Sequence, residues 1–166
     1  MIAAFLRTFD QVHLRQAFGL FPSGVTAFCG LVDGDAHGIA ASSFTSVSLD
    51  PALVSVCVAR SSTTWPKLAT LEHVGLSILA SDHGPIARSL ASKSPDRFGD
   101  VDWVAVDSGA VFVRGAPLWL ECRPHRLVEA GDHLIVLLQV TAVAMDAEVA
   151  PMVFHRSTFR ELAEAL

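Results

Sequence analysis

The sequence predicts a mainly β chain, with two or three helices outside an antiparallel sheet that is closed or split as a barrel. Three observations carry this prediction. Apolar runs of strand length recur at residues 25–32, 53–58, 74–79 and 133–144. Tight-turn signals such as Asp33-Gly34 and Glu129-Ala130-Gly131-Asp132 join several of these runs, which favours antiparallel neighbours. Apolar residues make up 51% of the chain and charged residues 17%, enough apolar material for a sizeable core. Periodicity alone does not separate a barrel from a sandwich.

Taken in order, Thr8 with Gln11 three residues on reads as a capping box. Phe9, Val12, Gln16 and Ala17 then keep a helical period, with Gly19 as the stop. Phe21-Pro22-Ser23-Gly24 is a turn. Residues 25–32 form a strand apolar on both faces, which implies burial on both. Asp33-Gly34 turns the chain, so His37 to Ala41 returns as the antiparallel partner. A hydroxyl-rich turn at 42–48 precedes the strand at 53–58. Thr63 or Thr64 caps a short helix from Trp65 to Leu71, with Pro66 in its first turn. Val74 to Leu79 is a strand, and Asp82 caps a helix over residues 85–91. Residues 92–100 form a polar loop with Lys93 and Arg97 as an exposed-looking pair. Strands follow at 101–106, 110–113 and 118–128. His133 opens the longest strand, to Ala144, and 149–154 is a short last one. Ser157 begins a C-terminal helix with Glu161 in its first turns.

One domain, residues 1–166, is the expectation for this length. A net charge of −5 speaks against a nucleic-acid partner, which asks for a basic face. The mean hydropathy is high, at +0.45. No uncharged apolar run reaches the roughly 18 residues of a spanning helix, so no membrane partner is expected. The excess is assigned to strands buried on both faces and to a subunit interface. Cys29, Cys57 and Cys122 lack CxxC spacing and sit in apolar segments, which predicts buried free thiols. Residues 1–21 lack the pattern of a secretory leader, and together these features suggest a reducing, cytoplasmic setting. The seven His residues form no HxH or HxxxH pair, so no metal site is expected.

The stretch from Gly38 to Pro51, GIAASSFTSVSLDP, holds four Ser and one Thr between Ser42 and Ser48. Clustered hydroxyls and turn N–H groups suit an anion or the polar edge of a ring. They equally suit a loop that satisfies its own backbone. The residue order, continued through ALVSVCVARSSTT, resembles the flavin-binding stretch of the short-chain flavin reductases, the FMN-binding split-barrel family. Further motifs resemble that family in the same order. They are FPSGV at Phe21, PDRF at Pro95, GAPLWLECR at Gly115, AGDH at Ala130 and PMVFHRSTFREL at Pro151. Ser157 stands where the family's terminal HRG element has Gly, and Ser77 where Asn is usual.

The resemblance implies a split β-barrel and a homodimer with flavin near the interface. It implies an NAD(P)H:flavin oxidoreductase that reduces FMN, or FAD, with NADH or NADPH. Reduced flavin would pass to a separate monooxygenase. The alternative is a non-catalytic flavin-binding barrel or interaction subunit. By the same resemblance Ser42, Ser43, Phe44, Thr45 and Ser48, with Leu49 alongside, line the isoalloxazine and ribityl chain. Arg60, Ser61, Ser62, Thr63 and Thr64 lead from a strand to a helix N-terminus, where N–H groups favour a phosphate and Arg60 adds charge. The plainer reading of that cluster is an N-cap with spare hydroxyls. Arg97 and Phe98 approach the phosphate or the ring, or else Arg97 is a solvated loop residue. His133 is implied at the nicotinamide, or else simply begins a strand. Hydride passes directly to flavin N5, so no catalytic side chain is expected.

Overall fold

A computed structural model of the chain describes residues 5–163. It contains helix α1 (Gln11–Phe18), strands β1 (Ser23–Gly24), β2 (Thr26–Val32), β3 (Asp35–Ala41), β4 (Thr45–Leu49) and β5 (Ala52–Ala59), and helix α2 (Trp65–Leu68). Strand β6 (Val74–Ile78) and helix α3 (Gly84–Ala91) follow, then β7 (Trp103–Ala105), β8 (Val111–Val113), β9 (Leu118–Ala130), β10 (His133–Met145), β11 (Val153–His155) and β12 (Thr158–Arg160). Seven strands form one antiparallel sheet in the order β3-β2-β6-β9-β10-β5-β4.

The edge strands of this sheet, β3 and β4, are consecutive in sequence. Laid flat, seven strands would place the edges roughly 29 Å apart at the usual strand spacing. The link from Ala41 to Thr45 spans roughly 14 Å at full extension. The sheet must therefore curl until its edges approach. No ladder joins β3 to β4, so the result is a barrel with a split along one side.

Two cores follow from the period-2 alternation of the strands. Phe28, Val54, Val56, Val58, Leu76, Leu120, Val136 and Leu138 fill the first, with Trp65 and Leu68 of α2 packed against them. Ala27 and Cys29 point the other way, into a second core with Leu79, Leu90, Val111 and Val113. This is why β2 is apolar on both faces. Asp33 and Gly34, with φ of 55° and 90°, make the two-residue turn between β2 and β3 that their sequence predicts.

Several local expectations are corrected. Asp10, not Thr8, caps α1: its carboxylate accepts the His13 N–H at 2.9 Å, beside the positive end of the helix. The hydroxyl-rich turn is shorter than expected, because Thr45 to Leu49 is an edge strand paired with β5. Helix α2 stops at Leu68; Thr64 holds its N-cap position as expected but makes no side-chain capping bond, and Ser62 Oγ accepts the Trp65 N–H instead, at 3.1 Å. Asp82 is exposed and does not cap α3. His83 holds the N-cap position, and its Nδ1 accepts the Ala80 N–H at 3.2 Å. No helix begins at Ser157. Arg156 and Ser157, with φ of 51° and 58°, turn the chain into the β11–β12 hairpin. There Phe154 and Phe159 pack together at 5.7 Å between ring centroids and close one side of the second core, a burial that a solvated helix would forgo. Cys29 and Cys122 are buried free thiols, but Cys57 is only half-buried. Burial pushes the Cys122 thiol up to about 12, aided by the Glu121 charge.

Candidate functional site

The split in the barrel opens into a cleft of about 810 Å³. Its walls are Ile39–Ser43 from the end of β3, Cys57–Ala59 from β5, and Leu90–Lys93 from the end of α3, with Ser61, Ser62, Thr63, Arg97 and His133 around them. A volume of this size holds a nucleotide-sized ligand.

One end of the cleft is rich in donors. The turn after β5 brings the hydroxyls of Ser61, Ser62 and Thr63 together, and the N–H groups of Ser61, Thr63 and Thr64 find no acceptor among the described residues. With four residues, α2 contributes little dipole, so the turn itself supplies the donors. Lys93 and Arg97 add positive charge. Arg97 is anchored rather than solvated. Its Nη1 donates to Gly38 O at 3.3 Å, Thr64 Oγ1 at 3.1 Å and Leu90 O at 3.4 Å. One nitrogen thus ties β3, the turn before α2 and α3 together, and Nη2 and Nε remain for a ligand. Gly38 leaves room for its other neighbours: a Cβ there would meet Cys29 Sγ at 2.5 Å and the Phe98 ring at 3.0 Å.

His133 stands directly opposite Ala59 across the β5–β10 ladder, beside the start of the turn after β5, where the Asp132 carbonyl accepts the Arg60 N–H at 2.9 Å. The Gly131-Asp132 turn, with Gly131 at φ 63°, delivers it to the cleft mouth. Its Nδ1 lies 2.8 Å from Asp132 Oδ1, which leaves Nε2 for a ligand. The same hydrogen bond holds the Asp132 carboxyl below the usual carboxylate range.

Of the residues singled out in the sequence, Ser42, Ser43, Ser61, Ser62, Thr63, Arg97 and His133 meet at this cleft. The others lie elsewhere. Phe44 packs on the first core, and Thr45, Ser48 and Leu49 stand on β4, with Leu49 97% exposed. Arg60 turns away to pair with Glu129 at 2.7 Å. Thr64 and Phe98 line a second cleft of about 560 Å³, which shares Thr63, Lys93 and Arg97 with the first. Sequence reasoning missed Lys93 as a site residue, along with the small wall residues Ala40, Ala41 and Ala59 and the half-buried Cys57. Lys93 was visible as a cation four residues before Arg97 in a Ser-rich loop. The wall residues carried no local signal.

The sequence pattern of the flavin reductase like domain matches residues 18–163. The chain belongs to the flavin reductase family. It is 34% identical over 151 residues to a flavin reductase of Pseudomonas putida, covering 90% of this chain and 89% of that one. It is 40% identical over 159 residues to an NADH-dependent FAD reductase of Streptomyces globisporus, covering 93% and 87%. Among solved structures, the S. globisporus NADH:FAD oxidoreductase in complex with NAD and FAD fragments superimposes with a TM-score of 0.92 at 39% identity, over 98% of each chain. The flavin reductase component of a bacterial two-component tryptophan halogenase matches with a TM-score of 0.85 at 32% identity, over 94% of this chain and 100% of that one.

Proposed function

We propose that this flavin reductase oxidises NADH or NADPH at the cleft in the barrel split and supplies reduced flavin to a separate monooxygenase. The observation that carries the reading is what the cleft gathers: an anion-binding turn with two cations, an imidazole nitrogen left free, and small side chains along the walls. The donor set fits a flavin nucleotide. Ser61, Ser62, Thr63, Lys93 and Arg97 would hold its phosphate, and the strand edges at Ala40 and Ala59 would flank its ring. The flavin, when bound, supplies the N5 centre that accepts hydride. His133 would orient the nicotinamide through Nε2 while Asp132 fixes its ring. The chain needs no acid, base or nucleophile for this transfer.

The second cleft supports FAD beside the smaller FMN. It opens on the far side of the shared Thr63, Lys93 and Arg97 wall and carries Lys67, His37 and Trp103. A dinucleotide whose phosphate rests on that wall has room to continue there.

Mixing protein, flavin and NADH under nitrogen tests the activity. Bleaching of the flavin absorbance is the expected result, whereas flavin that binds and stays oxidised would make the chain a storage or interaction subunit. Titration of FMN and FAD side by side tests the second cleft, with Lys67→Ala expected to weaken FAD alone. An unchanged FAD affinity would confine the ligand to the first cleft, and equal losses for both flavins would assign Lys67 to the phosphate they share.

A further inference from the structure

Resting on the flavin reading above, we infer that Ser43 is a positioning residue: it plugs the open edge of β5 at Cys57, leaving the Ala59 N–H as the free main-chain donor that reads the flavin ring. The hydroxyl-rich stretch suggests that Ser43 serves the ligand directly. The structure spends its hydroxyl elsewhere. Ser43 Oγ accepts the Cys57 N–H at 2.9 Å and donates to the Cys57 carbonyl at 3.2 Å. A hydroxyl has one proton, so Ser43 has none left to donate to a ring.

Strand parity gives the consequence. Along a strand, the N–H and C=O of alternate residues face the same side. The Cys57 pair faces away from β10, toward the split. The N–H of Ala59, two residues on, therefore faces the split as well. Strand β4 covers β5 only as far as Ser55, which pairs with Thr45. Beyond it the edge is open. Ser43 takes the place of the missing ladder at Cys57, and the Ala59 carbonyl accepts the Ser62 N–H at 2.9 Å. The Ala59 N–H is what remains. Across the cleft the same parity applies to β3. Gly38 O faces its open edge to receive Arg97, so the N–H and C=O of Ala40 face that edge too. Ala40, Ala41 and Ala59 have side chains short enough to let a planar ring reach both edges. An unpaired strand edge is a ready row of donors and acceptors, and the carbonyl-bearing pyrimidine side of a flavin offers acceptors to it.

Residue-resolved amide hydrogen exchange on the wild-type protein, with and without FMN, tests this without a mutation. The Cys57 amide should be protected in both states, and the Ala59 amide only with flavin. A Cys57 amide that exchanges freely without flavin overturns the plug. A wild type that binds FMN while Ala59 still exchanges freely overturns this inference alone; a wild type that binds no flavin overturns the functional reading beneath it. In the second arm, Ser43→Ala should lose flavin affinity by roughly tenfold at a temperature where it is folded, and Ser43→Thr, which keeps the hydroxyl, should stay within about threefold of wild type. A Ser43→Ala protein that melts lower but binds FMN as wild type does makes the residue merely structural. Should Ser43→Ala not fold, the exchange measurement decides.

Discussion

One ring nitrogen of His133 is already engaged by Asp132, so whatever this residue does for a ligand it does through the other. Half-exposed at the cleft mouth, it is proposed to touch the hydride donor rather than to hold the flavin. His133→Ala should therefore leave flavin affinity near its wild-type value. The cost should fall on kcat/KM for NAD(P)H, by about 1–3 kcal/mol for one lost hydrogen bond in a desolvated site. That is a loss of roughly five- to 150-fold. Stopped-flow reduction at saturating flavin reads it directly, and an unchanged NADH dependence would remove His133 from the site. His83 is a different case. It is 9% exposed, and burial holds its pKa below the ordinary value, against the opposing Asp82 charge. Above the unfolded value of about 6.5 both states are neutral and its contribution is whole. As pH falls below that value, the unfolded chain takes up a proton that the folded ring resists, so stability falls until the folded pKa is reached. Melting temperature should thus drop between about pH 7 and pH 5, and less so in His83→Gln. Parallel declines in the two proteins would clear His83 of the effect.

At the scale of elements, two departures from the family's pattern acquire physical meaning. Ser77, where Asn is usual, is buried on β6, and its Oγ accepts the Val113 N–H at 3.0 Å; it ties β8 to the barrel rather than facing the cleft. Ser157, where Gly is usual, sits at φ 58° in the β11–β12 turn. A side chain in that region is disfavoured by contact of Cβ with the backbone. Ser157→Gly should relieve part of this, the greater freedom of Gly in the unfolded chain taking some of the gain back. The net expectation is a rise of about 0.5–1 kcal/mol, seen as a higher denaturant midpoint at unchanged slope. A midpoint that moves down would mean that the Ser157 side chain makes a compensating contact. The Ser-rich segment teaches a related lesson. Its hydroxyls at Thr45, Ser46 and Ser48 look like a binding loop in sequence but stand on an edge strand, where polar side chains are the usual occupants.

For the whole molecule, the open question is what covers α1. None of its residues is buried: the apolar Val12 is 60% and Phe18 70% exposed, and Phe9, Leu20 and Phe21 nearby are exposed as well. Eight residues are too few for a helix to be stable in water without packing. A second copy of the chain is the expected cover, as a homodimer. Light scattering should give twice the chain mass of 17.7 kDa at micromolar concentration. A mass of one chain there would end this expectation, and α1 would then need another partner.

The sequence by itself determined what depends on neighbours a few residues apart. Apolar runs of strand length placed β2, β5, β6 and β10, the Asp-Gly and Gly-Asp turns placed two hairpins, and Ser61 to Thr63 stood out as donors because a turn carries its own chemistry. Caps were less legible, since Thr8, Asp10 and Asp82 are all chemically able to cap and the choice rests on where the first helical turn begins. Tertiary structure alone decided the rest. That β3 and β4 are opposite edges of one curled sheet follows from pairings between residues as far apart as Leu53 and Gln139. That Arg97 is an anchor follows from Gly38, 59 residues away, which presents its carbonyl to the split. Which hydroxyls face the cleft, and that Ser43 is spent on Cys57, depends on the register and curl that bring the two strand edges together, and no local spacing encodes that closure.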